Sequence, residues 1–353
     1  MLYRKYRPVK FSEVEGQEHI VQTLRGSLIS GNVGHAYLFC GPRGTGKTTL
    51  ARLFAKALNC EKLKPGAISG SSPEPCNLCS SCQEIGEGRS LDLIEIDAAS
   101  NRGIDEIRNI KESARVASSG SRYKIFIVDE VHMLTQAAFN ALLKTLEEPP
   151  PHIVFILATT EPHKLPETIL SRVQRFDFKK LNSEIIKRKL TRIAKAENIS
   201  IDDEAVNSII QDAGGSLRDA ESILTKLISY AGATITADLA SEVLGIVPLI
   251  THEKLLSTLI SKDTKKALDI IKDLHESGIN LENFIAQFLR YLRKILIDLI
   301  EKSAASEQKG MDPAKIVSII QTVTKAKNDL ASSPIPQLPL ELAIIEITKN
   351  ETK

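Results

Sequence analysis

Ala36-Tyr37-Leu38-Phe39-Cys40-Gly41-Pro42-Arg43-Gly44-Thr45-Gly46-Lys47-Thr48-Thr49 joins a short apolar run to a glycine-rich turn, and the turn to a helical pattern. Gly41 to Thr48 satisfies G-x-x-x-x-G-K-[ST] at every fixed position, in the strand–turn–helix setting that gives the motif its meaning. The glycines let backbone N–H groups wrap a phosphate, and the helix N-terminus adds a favourable dipole. Lys47 is then expected at the β- and γ-phosphates and the Thr48 hydroxyl on Mg²⁺, with Pro42, Arg43, Thr45 and Thr49 completing the loop.

Working outward, 91–96 (LDLIEI), 123–128 (YKIFIV) and 153–158 (IVFILA) read like 36–40 (AYLFC), as short β-rich runs apolar on both faces. Helical patterns at 47–58, 104–116 and 136–146 lie between them. The last begins after Thr135, a good N-cap, and stops at Pro149-Pro150-Pro151. Strands and helices alternating in this way predict a doubly wound α/β domain over 1–180. Beyond Phe178 the strand signals fade. Helical periodicity at 183–197, 202–212 and 217–231 predicts a small helical domain over 181–245, and further patterns at 251–261, 263–277, 281–303, 312–329 and 338–349 an all-helical block over 246–353.

The chain has 353 residues, with 46 Lys plus Arg against 44 Asp plus Glu. That balance excludes a globally basic nucleic-acid coat, so any contact with DNA must be a local patch. No apolar run approaches the roughly 20 residues of a membrane-spanning helix. The start, MLYRKYRPVK, lacks the apolar stretch of a secretory signal. A cytoplasmic protein with no membrane partner is expected.

Three further features carry chemistry. Asp129 and Glu130 end the apolar run 125–128, so Asp129 is placed to hold Mg²⁺ and Glu130 to polarise a water for attack on the γ-phosphate. His132 reads as a packing or hydrogen-bonding residue. Thr159-Thr160 closes the run 153–158 at the same edge, where a hydroxyl can orient that water. Cys60, Cys76, Cys79 and Cys82 supply four soft ligands within 23 positions. A structural Zn²⁺ is favoured, with an Fe–S cluster or a redox pair as the alternatives. The long loop between them, with Pro65, Gly66, Gly70, Pro73 and Pro75, can fold back to deliver Cys60, and its stretch 67–75 is of low complexity. Cys40 reads as a small buried apolar residue.

Tyr6-Arg7-Pro8, Val14-Glu15-Gly16-Gln17, the GPRGTGKT loop, the cysteine module, VDEVHML, FNALLKTLEEPP, LATTEPHKLP, ILSR and GSLRDA occur in this order. Together they resemble the AAA+ clamp-loader ATPases, most closely the bacterial DNA polymerase III gamma/tau family. The likeness covers about the first 240 residues well and the helical block more loosely. It implies an AAA+ domain, a helical lid and a C-terminal collar. It implies that Thr160 senses the γ-phosphate, that Arg172 is an arginine finger for a neighbouring subunit, and that Arg218 is the lid's sensor. Arg7, Pro8 and Val14 fall where the family packs near adenine, and Asn101-Arg102-Gly103 where loader subunits track the DNA backbone.

The implied activity is that of a clamp-loader motor at the nucleoid-associated replisome. ATP binding opens a sliding clamp, and DNA-triggered hydrolysis releases it on primer–template DNA. The implied partners are delta- and delta-prime-type subunits and further gamma/tau copies. The alternatives are a branch-migration type DNA motor and a non-catalytic loader scaffold, the latter disfavoured by the complete set Lys47, Thr48, Asp129 and Glu130. Two departures stand out. The Cys60–Cys76 spacing is longer than the family's usual one, and the sequence ends at Lys353 without a long tail, as a short gamma-like product or a truncated tau would.

Overall fold

The computed structural model describes residues 1–66, 73–302, 312–330 and 332–349. Of the predicted loop 67–75, residues 67–72 lie outside the described residues, as do 303–311, 331 and 350–353 of the predicted helical block. The chain divides into two compact units, Met1–Ile235 and Thr236–Lys353.

In the first unit β1 (Ala36–Cys40), β2 (Leu93–Asp97), β3 (Lys124–Asp129), β4 (Ile153–Thr159) and β5 (Gln174–Asp177) form one sheet. All pairs are parallel, and the spatial order is β2-β3-β4-β1-β5. Alternation along each central strand feeds two cores. Tyr37, Phe39, Ile125, Ile127, Val154 and Ile156 face one side, against α2 (Glu18–Ser30) and α3 (Lys47–Asn59). Leu38, Cys40, Phe126, Val128, Phe155 and Leu157 face the other, against α5 (Ile104–Arg115) and α6 (Gln136–Glu147). That two-sided cover is why the runs read as continuously apolar. Cys40 is buried, which pushes its thiol up to about 11.

The remaining helices of this unit are α1 (Leu2–Lys5), α4 (Ser80–Glu87), α7 (Glu167–Leu170), α8 (Ser183–Ala196), α9 (Asp203–Ala213) and α10 (Leu217–Ala231). Thr135 caps α6 as expected, its hydroxyl accepting from the Ala138 N–H at 3.3 Å. Asn182 and Ser216 cap α8 and α10 in the same manner. A two-stranded parallel ribbon, β6 (Ser200–Ile201) with β7 (Thr234–Ile235), ties the three helices of the lid together. Neither this ribbon nor β5 was expected. Both are too short and polar to show an apolar run, and β5 is an exposed sheet edge reading QRFD.

The second unit holds α11 (Ala237–Leu244), α12 (Leu249–Ile260), α13 (Thr264–Glu276), α14 (Leu281–Lys302), α15 (Pro313–Leu330) and α16 (Leu338–Lys349). Its core gathers Leu255, Leu256, Leu259, Ile271, Phe284, Phe288, Ile316 and Ile344. The buried His252 ring stacks on Phe284 at 5.2 Å. Among the described residues no single helix is long and apolar enough to cross a membrane.

Phe155 is fully buried and stacks on Phe126 with centroids 5.3 Å apart. Phe155→Ala should cost about 3–5 kcal/mol of stability, measured as a fall in the urea midpoint with an unchanged slope.

Candidate functional site

The phosphate loop runs from the carboxyl end of β1 into α3, and three glycines hold it in shapes closed to other residues. Gly41, Gly44 and Gly46 have φ of 144°, 73° and 101°. A Cβ on Gly41 would lie 2.5 Å from the Phe178 carbonyl oxygen, and one on Gly44 would lie 1.9 Å from Ser216 Oγ. The lid docks on this loop: the Leu217 N–H, opening α10, donates to the Gly44 carbonyl at 3.1 Å.

Strand order brings the other groups to the same edge, because β4 lies between β1 and β3. The Gly41 N–H donates to the Thr159 carbonyl at 3.1 Å. The Thr48 hydroxyl donates to Asp129 Oδ2 at 2.7 Å. Lys47 Nζ donates to the loop's own Gly41 and Pro42 carbonyls at 2.7 and 2.9 Å. Burial holds the Lys47 ammonium below its usual range, with Glu130 and Asp129 pulling it back. Glu130 takes the left-handed conformation (φ 47°), which turns its carboxylate towards the end of β4. There Oε2 accepts from the Thr160 hydroxyl at 2.9 Å and the Thr160 N–H at 3.2 Å.

Gly44, Gly46, Lys47, Thr48, Asp129 and Glu130 line a cleft of about 430 Å³ that also contains Tyr3, Arg7, Pro8, Val14, Arg43, Thr45, Thr49, Leu181, Lys189, Arg218 and Glu221; Thr160 is tied to it through Glu130 rather than lining it. Arg218 lies over the Tyr3 ring at 5.2 Å. Arg7 is lowered chiefly by burial. The expected magnesium, adenine and lid residues and Arg43 to Thr49 of the phosphate loop are thus brought to one cleft, with Gly41 and Pro42 holding Lys47 beside it. The chemistry of the set suits a magnesium–nucleoside triphosphate: a hydroxyl and a carboxylate for the ion, cations and N–H groups for the phosphates, apolar walls for a base.

Arg172 is not in this cleft. It follows α7 at the amino end of β5, in a separate cleft of about 690 Å³ shared with Gly34, His35, Ala36 and Glu147. Its guanidinium donates to Glu147 Oε1 at 2.9 Å, to the Thr168 carbonyl at 2.8 Å and to Ser171 Oγ at 2.9 Å. Arg102, in the segment matched to DNA tracking, donates to the Ala99 carbonyl at 2.9 Å.

The four cysteines converge, with their sulfur atoms all within 4.8 Å of one another. Cys76 and Cys82 sulfurs lie 3.9 Å apart. A tetrahedral Zn²⁺ with Zn–S of about 2.3 Å sets ligand sulfurs about 3.8 Å apart, so the cluster fits that ion; a disulfide needs about 2.05 Å. Burial works against a Cys76 thiolate, but N–H groups of Leu78 and Cys79 and neighbouring thiols outweigh it and bring Cys76 down to about 6. Cys60 caps the C-terminus of α3. The cluster therefore sits a helix length from the phosphate loop, about 20 Å at 1.5 Å per residue.

Sequence reading missed Glu221 and Lys189, while His132 is the buried hydrogen-bonding residue expected, 2.9 Å from Thr159 Oγ1. Glu221 is buried, and its carboxyl is pushed up to about 7 by that burial, against the pull of Lys189 and Arg7. The available signal was spacing: Glu221 lies three positions after Arg218, on the same face of α10.

Three family models tile the chain. "DNA polymerase III, delta subunit" matches residues 16–182, "DNA polymerase III clamp loader subunit, ATPase lid domain" 185–233, and "DNA polymerase III subunits gamma and tau domain III" 235–352. DNA polymerase III subunit tau of Bacillus subtilis (strain 168) is 40% identical over 359 residues, covering 98% of this chain and 62% of that protein. DNA polymerase III subunit gamma of Buchnera aphidicola (subsp. Baizongia pistaciae) is 37% identical, covering 100% of this chain and 98% of that protein. The chain spans about half of other relatives, such as 52% of the Mycobacterium tuberculosis (strain H37Rv) gamma/tau subunit, at 39% identity over 86% of this chain. Among solved structures, the Thermotoga maritima RuvB Holliday junction branch migration motor superposes with a TM-score of 0.51. It is 20% identical over 72% of this chain and 79% of that one, a likeness of fold.

Gly44→Ala would force an L-residue into φ +73° with its Cβ against Ser216. Restoring the working loop on binding should then cost about 1–3 kcal/mol. Titration with a fluorescent ATP analogue should show affinity weakened roughly 5- to 150-fold.

Proposed function

The chain belongs to the gamma/tau family of DNA polymerase III clamp-loader subunits, and from that premise we propose that it works as an ATP-hydrolysing motor of a replicative clamp loader. The observation that carries this reading is the convergence of Lys47, Thr48, Asp129, Glu130 and Thr160 at one sheet edge, with the Thr48–Asp129 bond of 2.7 Å at its centre. We read 1–180 as the AAA+ domain, 181–235 as the lid with Arg218, and 236–353 as the collar that holds neighbouring subunits; the boundary expected near 245 moves to where the chain divides between its two units, which places α11 with the collar. The partners are delta- and delta-prime-type subunits, further copies of this chain, a sliding clamp and primer–template DNA. The work is done in the cytoplasm, at the replisome.

In this reading Arg7, Pro8 and Val14 pack at the base of ATP, and Gly41–Thr49 with Arg218 bind its phosphates. Thr48 and Asp129 hold Mg²⁺, which supplies charge neutralisation at the phosphate oxygens. Glu130, oriented by Thr160, accepts the proton of the attacking water. Arg172 completes the site of the next subunit, a contribution worth roughly 10³–10⁵ in rate. Support for its action in trans is its place at the opposite end of β1 from its own phosphate loop. Cys60, Cys76, Cys79 and Cys82 hold Zn²⁺ as a structural crosslink.

Steady-state ATP turnover tests the reading. It should be slow for this chain alone and rise sharply only with loader partners, clamp and primed DNA; fast, clamp-insensitive turnover would refute it. Arg172→Ala in that assembly should retain ATP affinity and lose most of the stimulated rate, measured by phosphate release.

Chelation should open residues 60–66 and 73–82 to protease while ATP affinity stays within about twofold. Unchanged protection after verified metal loss would count against a structural zinc.

A further inference from the structure

His132 lies in the turn after β3 with its side chain only 5% exposed, between two carboxylates. Its Nδ1 is 2.9 Å from Thr159 Oγ1 and 3.4 Å from Glu130 Oε2, and its Nε2 is 3.0 Å from Glu161 Oε2. Thr159 Oγ1 already accepts the Glu161 N–H at 3.0 Å. The Thr159 hydroxyl can still donate its own proton to Nδ1 while Nε2 donates to the Glu161 carboxylate, which can only accept. One neutral tautomer satisfies every group, an assignment made from the hydrogen-bond network.

In that tautomer the ring gives Glu130 no hydrogen bond. It acts on Glu130 through the end of β4. The ring ties Thr159 and Glu161 together, and Thr160 between them supplies both donors to Glu130 Oε2. Behind Glu161 stand Lys164 Nζ at 2.9 Å and His163 at 3.9 Å, so its carboxylate is held from two sides. Glu161 is also the first residue of the segment that runs through α7 to Arg172.

We infer that His132 is a positioning residue for hydrolysis, one that fixes Glu130 by clamping Thr159 to Glu161 and ties this subunit's own water-activating carboxylate to the segment carrying Arg172. The inference rests on the proposed role of Glu130. A buried ring bonded at both nitrogens across two segments is more than filler, since a residue needed only for packing would be satisfied by carbon.

The experiment is ATP hydrolysis in the complete loader with clamp and primed DNA, with ATP affinity measured alongside. His132→Phe keeps the shape and removes both bonds. Misplacement of a reacting group on this scale is expected to lower kcat roughly 10- to 100-fold, with ATP affinity within twofold. His132→Gln can accept at one atom and donate at the other, and should recover most of the rate. Glu161→Ala should fall in the same direction as His132→Phe. A normal kcat for His132→Phe, a loss of affinity or of thermal stability in step with the rate, or no recovery with His132→Gln would each overturn the inference. Glu130→Gln separates the two levels. Normal turnover in that variant refutes the role of Glu130 itself; lost turnover beside a normal His132→Phe refutes only the clamp.

Discussion

The Gly41 N–H to Thr159 carbonyl bond, 3.1 Å long, joins the first residue of the phosphate loop to the last residue of β4. It exists because β4 lies between β1 and β3, so the carboxyl ends of three adjacent strands meet at one edge. Every other placement follows from that junction. Asp129 comes within 2.7 Å of Thr48, Glu130 comes under Thr160, and the turn after β3 carries His132 against Thr159. The loop so fixed becomes a platform for the lid, whose α10 begins with a hydrogen bond to the Gly44 carbonyl. Glycine is required at Gly41 and Gly44 because backbone or a capping side chain occupies the space of a Cβ.

That edge also collects positive charge at a cost. Lys47 and Lys189 are each less than a tenth exposed, and burial lowers both, as it lowers Arg7. Desolvated cations raise the energy of the fold unless something neutralises them. Asp129, Glu130 and Glu221 do so in part, but Glu221 is itself held up to about 7 by burial. A cleft of this composition suits a polyanion, because its cations are already out of water and gathered in one place. The same desolvation that strains the fold would make each contact to a bound phosphate stronger.

How much of this was legible follows from how local each signal is. The four strands with apolar runs, the phosphate loop and the capped helix α6 depend on neighbours in sequence, and the structure reproduces them within a few residues. The cysteine cluster was legible because thiol chemistry and spacing name it. β5, with only Phe176 half-buried, carries no periodicity and exists because β1 offers it a ladder. Thr160 was placed at the γ-phosphate edge, but its tie to Glu130 depends on a left-handed turn that the sequence VDEVH does not reveal. Glu221 and Lys189 looked like ordinary helix-surface charges, because only the docking of α10 and α8 beside the N-terminal segment buries them.

Arg172 lies in a cleft of its own, away from this chain's phosphate loop. The strand β1 rises about 3.3 Å per residue, so its five residues put the cleft of Arg172 some 16 Å from the phosphate loop, further than one arginine side chain reaches. On the proposed reading the guanidinium is parked here rather than used at home. Its partner Glu147 is 49% exposed and Arg172 itself 34%. A pair so open to water is worth about 0–1 kcal/mol. Exchanging Glu147 for a phosphate in a drier cleft then costs little and gains a stronger, charge-assisted contact. A weak home bond serves a residue whose proposed task lies in another subunit: it holds the arginine in one rotamer, at the surface, without competing with the site it is to complete.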